Sequence, residues 1–147
     1  MSRGLAVIVG VAAGGLVGLQ APINSRLGRT VGTAQAATFS FLVGTVALVA
    51  IATFWRGGLG SLGHIGRVPW WALIGGLLGA VYVTVALVAV RTLGAGGLTA
   101  VVITGQLAIS VAIDRFGLLG VARQQIGVTR IAGLVLLAAG VVLVVRK

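Results

Sequence analysis

Five stretches of this chain run for fifteen residues or more without a single Asp, Glu, Lys or Arg: residues 4–25, 30–55, 68–90, 92–113 and 131–145. A helix that crosses the hydrocarbon core of a bilayer needs about 20 consecutive, mainly apolar residues. The first four stretches meet that length. The fifth is short, but Arg130 can snorkel toward the headgroups and the preceding "QQIGVT" can extend the helix. Five transmembrane helices are therefore expected, at about 4–23, 34–55, 70–90, 97–118 and 128–145, in one transmembrane domain over 1–147. The fold class is all-α, a polytopic membrane helix bundle. Composition agrees: 8% of the residues are charged, against roughly 25% in a soluble domain, too few to clothe a globule in water.

The net charge of +10 raises the question of nucleic acid. Ten of the eleven basic residues are Arg, and they are spread along the chain, most of them between the apolar runs. Positive charge flanking apolar spans has a simpler cause in membrane insertion, so the expected partner is the lipid bilayer and no nucleic acid. There is no cysteine, hence no disulfide, thiol nucleophile or thiolate metal site. Met1-Ser2-Arg3 ahead of an apolar stretch resembles a signal peptide, yet signal h-regions run only about 7–15 residues. The uncharged stretch from Gly4 to Ser25 is longer and reads as a retained span.

The connections are compact. Pro22 and the basic "NSRLGR" are expected to close the first helix, and "RTLGAGG" is short enough to make helices three and four antiparallel neighbours. The glycine-rich "RGGLGSLGHIGRVP" ends at Pro69, where proline suits a helix start. Trp70 and Trp71 follow it and Trp55 precedes it, at the positions of interfacial anchors. Gly10, Gly14 and Gly18 in the first helix recur at four-residue spacing, as do Ala36, Ser40 and Gly44 in the second and Gly75 and Gly79 in the third. Such faces let backbones approach closely in lipid and predict tight helix pairs.

An odd number of spans puts the termini on opposite sides. Arg3, Arg56, Arg67, Arg115, Arg123 and Arg130 fall on the N-terminal side; Arg26, Arg29, Arg91, Arg146 and Lys147 fall on the other. Orientation is normally fixed by an excess of Lys and Arg in cytoplasmic loops, and six against five fixes little. The expectation is insertion in both orientations and pairing with an inverted copy, as a homodimer or with a homologous five-helix subunit. Five helices are few for enclosing a path, and inverted repeats are a common transporter architecture.

Polar groups inside spans are costly and often functional. Gln20 and Asn24 lie one turn apart near the end of the first helix, Gln35 opens the second, and Tyr82 lies in the third. Gln106, Ser110 and Asp114 form one stripe on the fourth at four-residue steps. Gln20, Asn24, Gln35, Tyr82, Gln106 and Ser110 are the candidates for a substrate path. Asp114, the only carboxylate side chain in the protein, is a candidate for coupling or gating, or else marks the membrane boundary. With helix four starting near Leu98, Asp114 comes about 24 Å along it, close to the far edge of the hydrocarbon. Asp114 and Arg115 are neighbours in a helix and do not face each other, so each needs a partner elsewhere. His64 has no second His or nearby acid and reads as a solvated loop residue; no metal site and no cofactor are expected.

The segments "GLQAPIN", "QAATFSFLVGT", "WWALIGGLLGAVYV" and "GQLAISVAIDRFG", with the ending "RIAGLVLLAAGVVLVV", resemble the YdcZ-like family, a five-helix branch of the drug/metabolite transporter superfamily. The resemblance spans nearly the whole chain. It implies a bacterial inner-membrane exporter or permease, with five helices equivalent to half of a ten-helix inverted-repeat transporter. The small multidrug exporters of that superfamily carry a membrane-embedded glutamate in their first helix. The first helix here has no acid, so proton-coupled export of cationic drugs does not carry over.

An enzyme is not expected. Acid–base catalysis needs positioned titratable pairs, and one Asp and one His far apart in sequence do not offer one. No phosphate-binding loop appears either, since the only lysine is the last residue. The leading expectation is a secondary transporter for a small metabolite or drug, working as a dimer. The alternatives are a small dual-topology ion channel and a non-transporting membrane partner subunit.

Overall fold

The computed structural model describes residues 1–54 and 58–146. Trp55, with its expected anchoring role, and Arg56 and Lys147, which enter the loop charge balance, lie outside the described residues. The described chain is almost wholly helical. Ser2 caps the first helix, α1 (Arg3–Val31), its hydroxyl accepting from the Leu5 amide at 3.3 Å. At 29 residues and 1.5 Å per residue, α1 is about 43 Å long.

α1 does not close at Pro22. It continues through that proline to Val31. Proline removes one backbone hydrogen bond, but membrane helices tolerate this where neighbouring structure supports the turn. Here the turns that follow carry three of the four buried residues of α1: Asn24, Ser25 and Gly28. What stops the helix is Gly32, at φ 98°, whose amide donates to the Gly28 carbonyl at 3.1 Å. The second helix, α2 (Thr33–Phe54), begins at the next residue. An L side chain at Gly32 would be strained by that φ and would collide with Oε1 of Gln35.

Beyond α2, 3-10 turns over Gly58–Arg67 and Trp70–Leu73 flank Pro69. Trp70 is largely exposed at this entry, as an interfacial anchor would be. A helical stretch of 42 residues, Gly75–Phe116, follows. Unbroken, it would be about 63 Å long, twice the hydrocarbon thickness of about 30 Å. It is broken at Gly94, where φ is 71° and ψ 169°. The break divides it into α3 (75–93) and α4 (95–116), each of span length. The expected link "RTLGAGG" thus shrinks to one residue, because a single glycine in a conformation closed to other residues suffices to end one helix and begin the next. α4 stops at Phe116, before the left-handed Gly117 (φ 66°). The last helix, α5 (Val128–Val145), starts after Gly127, so most of the "QQIGVT" segment stays outside it.

The chain forms two compact units, Met1–Arg91 and Thr92–Lys147. In the first, Ala36 and Ala37 of α2 pack against Val83 and Leu87 of α3, with Leu27 of α1 and Tyr82 at the margin. Two alanines at the centre let three backbones converge. A Cβ on Gly28 would sit 3.4 Å from Leu87 and 3.6 Å from Ala36, and one on Gly79 would sit 3.4 Å from Phe41. The other expected glycine contacts are not made among the described residues: added Cβ atoms on Gly10, Gly14, Gly18, Gly44 and Gly75 meet nothing within 4 Å. Large apolar residues such as Leu16, Val46 and Leu78 point outward. In lipid this costs nothing, since hydrocarbon tails are as apolar as leucine.

Candidate functional site

Polar side chains in the first unit gather where α1 meets α2 and α3. Gln20 and Asn24, one turn apart, and Tyr82 of α3 line one cleft, closed by Ala21, Val83 and Leu87 and too narrow to admit a water molecule. Asn24 is 7% exposed, and its amide donates to the Ser40 hydroxyl of α2 at 3.0 Å. One turn farther along α3 from Leu87, Arg91 reaches back to α1, its Nε donating to the Ser25 hydroxyl at 3.1 Å. Ser25 is 4% exposed. Gly28 makes room for the guanidinium, since a Cβ there would lie 3.1 Å from Nη2. Asn24, Ser25 and Gly28 are thus buried on one stretch of α1, Asn24 facing Ser40 of α2 and the other two facing Arg91 of α3.

Gln35 lies outside the cleft, exposed at the α1–α2 turn and folded against Gly32. A second groove of this unit, between α2 and α3, carries Thr38, Thr45 and Thr84. It is less polar than that composition suggests. The Thr38 and Thr84 hydroxyls donate to the carbonyls of Ala34 (2.9 Å) and Ala80 (2.8 Å), satisfying themselves on their own helices.

In the second unit, Gln106 and Ser110 are exposed on α4. Asp114, two residues from the end of α4, accepts from Nη1 of Arg130 at 2.8 Å. Nη2 of the same guanidinium donates to Oε1 of Gln124 at 3.1 Å. The Gln124 amide in turn donates to the Asp114 carbonyl at 2.8 Å, and Nε of Arg123 to the Arg115 carbonyl at 3.0 Å. The sole carboxylate therefore ties the 117–127 connection and the start of α5 to the end of α4.

The sequence pairs Gln20 with Asn24 on one turn of the first helix and leaves Tyr82 apart on the third; the structure brings all three to one cleft. It missed Ser25 and Arg91, which entered only as the end of an uncharged stretch and as a loop charge. The available signal was a hydroxyl directly beside Asn24 and an arginine at the end of an apolar helix, both common features. Arg130, read as a snorkelling residue, is the partner that Asp114 needed.

Among the described residues four helical segments are long and apolar enough to cross a membrane, one of them the broken 42-residue run, and polar groups are buried between helices. Together these define a multi-pass, all-α membrane protein. The chain belongs to the YdcZ family: the family model described as "Putative inner membrane exporter, YdcZ" matches residues 5–143. The inner membrane protein YdcZ of Escherichia coli (strain K12) is 34% identical over 149 residues, covering 100% of this chain and 99% of that protein. No solved structure matches the chain. The protein is therefore a multi-pass inner-membrane protein of a transporter family.

Proposed function

We propose that this protein is a secondary transporter of a small polar metabolite or drug, working by alternating access between two paired five-helix chains. The observation that carries the reading is the cleft between α1 and α3, which Gln20, Asn24 and Tyr82 line together inside apolar spans. Amides and a phenol can donate and accept hydrogen bonds, which suits cargo recognised by shape and hydrogen bonding. The narrowness of the cleft fits an occluded state, which an outward or inward movement of α1 against α3 would open.

Pairing is supported by the open glycine face of α1, where Gly10, Gly14 and Gly18 meet nothing within the chain. The near balance of loop arginines favours an inverted partner, which would generate the two-fold inverted repeat common among carriers. Asp114 is the candidate for coupling, through release of Arg130.

The test is flux in proteoliposomes made with purified protein and a panel of metabolites and drugs, with and without a pH gradient. Saturable, gradient-sensitive flux altered by Asn24→Ala or Tyr82→Phe is expected. Unitary currents would instead indicate a channel, and absence of flux with a fixed co-purifying protein a partner subunit. Reporters fused at the C-terminus should signal from both sides of the membrane; signal from one side only rules out dual insertion.

A further inference from the structure

The first unit holds six arginines, at positions 3, 26, 29, 56, 67 and 91, and no carboxylate, because the one Asp is residue 114. That Asp is engaged by Arg130 within the second unit. Arg91 differs from Arg26 and Arg29, the other cations assigned to this end of the first unit. All three are exposed, but Arg26 and Arg29 make no side-chain hydrogen bond among the described residues. Arg91 is instead anchored by Nε to the buried Ser25 hydroxyl and seated over Gly28. An interfacial arginine that merely snorkels extends toward headgroups; this one is turned back onto the neighbouring helix. Nε is taken by Ser25 and neither Nη makes a hydrogen bond among the described residues, so the guanidinium keeps donors that can receive oxygens of a planar or tetrahedral anion. The charge is permanent, and the cleft of Gln20, Asn24 and Tyr82 begins one turn deeper, beside Leu87.

We propose that Arg91, held by Ser25 over Gly28, receives a carboxylate or phosphate group of the transported molecule at the mouth of the α1–α3 cleft, so that the cargo is a small anion. The inference rests on the transporter reading for the word cargo, while the anion site stands on Arg91 alone. Bound there, an anion neutralises a charge that nothing in its own unit neutralises, and its uncharged portion extends toward the two amides and the phenol. A lipid phosphate offers the same chemistry, and the two sources are separable.

The experiment measures the thermal unfolding midpoint of the full chain at constant ionic strength, in detergent free of phospholipid, with inorganic phosphate or succinate as probe. At least one of the two is expected to raise the midpoint saturably. Its half-saturating concentration should increase by about tenfold or more in Arg91→Gln and in Arg91→Lys, because charge-assisted bidentate bonds are lost. Ser25→Ala should weaken binding less, and Arg26→Gln and Arg29→Gln should leave it unchanged. No response to either anion overturns the proposal, as does a response that survives Arg91→Gln. The same measurement in nanodiscs of phosphatidylglycerol or phosphatidylcholine identifies the other source: an Arg91-dependent response to phosphatidylglycerol with none to the soluble anions makes Arg91 a headgroup anchor and overturns it. The two readings fail separately. Arg91-dependent binding without flux removes the transporter and leaves the anion site, whereas flux of an uncharged solute untouched by Arg91→Gln removes the anion cargo and leaves the transporter.

Discussion

Gly94 and Gly96 offer a pair of substitutions whose outcomes must have opposite signs. At both positions an added Cβ meets no atom within 4 Å, so neither Gly94→Ala nor Gly96→Ala has a packing cost. They differ in backbone. Gly94 has φ 71° and ψ 169°, a region essentially restricted to glycine, whereas Gly96, in the first turn of α4, has no positive φ. Holding alanine in the Gly94 conformation costs on the order of 1–3 kcal/mol. Replacing a glycine within a helix by alanine stabilises by roughly 0.5–1 kcal/mol, so Gly96→Ala should gain about that much. The two variants, two residues apart, should differ by about 1.5–4 kcal/mol. Reversible unfolding in dodecyl maltoside titrated with sodium dodecyl sulfate, followed by far-ultraviolet circular dichroism, measures both. The alternative for Gly94→Ala, straightening the helix, would create an unbroken rod of 42 residues, about 63 Å long against a hydrocarbon core of about 30 Å. If Gly94→Ala is as stable as the parent, or if both alanines shift stability in the same direction, the break at Gly94 is not what divides the two spans.

Three further outcomes are expected in the same assay. The Asp114–Arg130 pair is partly screened, with 22% and 41% of its side chains exposed, so Asp114→Asn and Arg130→Gln should each cost about 1 kcal/mol. The double variant should cost little more than either, the pair should weaken in high salt, and strict additivity would show that the bond contributes nothing. Asn24→Ala and Ser40→Ala should show a coupling energy of about 0.6 kcal/mol, typical of hydrogen bonds between membrane helices; a cycle that closes to zero would mean the 3.0 Å contact carries no energy. Gly28→Ala places a Cβ 3.1 Å from Nη2 of Arg91 and 3.4 Å from Leu87, so it should destabilise by about 1–3 kcal/mol through overpacking. Gly133→Ala on α5, where an added Cβ meets nothing within 4 Å, should lose nothing, and equal losses at both sites would contradict the three-helix contact.

The spans were legible because lipid imposes length and apolarity on any helix that crosses it, and a run of uncharged residues reports both. Helix ends were less so. Pro22 resembled a terminator, yet α1 is ended by Gly32 ten residues later. Proline in a membrane helix forfeits one hydrogen bond, a loss the surrounding packing can absorb, whereas a glycine at positive φ redirects the chain outright. The same holds at Gly94, one of three glycines in "RTLGAGG". Composition marks that segment as a break, but nothing local says which glycine turns. The glycine-spaced faces misled in a related way. Small residues at four-residue intervals permit close approach, and the chain uses that permission at Ala36, Ser40 and Gly79 and leaves Gly10, Gly14 and Gly18 open.

The candidate site was harder to read for a reason specific to lipid. In water, burying a leucine is itself stabilising, so apolar periodicity points to the core. In a bilayer an apolar side chain gains little by turning inward, and residues such as Val11, Leu16 and Val46 remain on the outside. Polar groups gain most from finding one another. Asn24 meets Ser40 across 16 positions, Arg91 meets Ser25 across 66, and Arg130 meets Asp114 across 16. Every one of these residues is conspicuous in the sequence by its chemistry, but periodicity along one helix cannot say which partner on another helix lies at the same depth. Depth is set by where each helix starts and stops, so the misplaced end of α1 and the hidden partners of Asn24 and Ser25 are one difficulty: once α1 is carried past Pro22, the turn bearing Asn24, Ser25 and Gly28 becomes helix wall, and Ser40 and Arg91 become its neighbours.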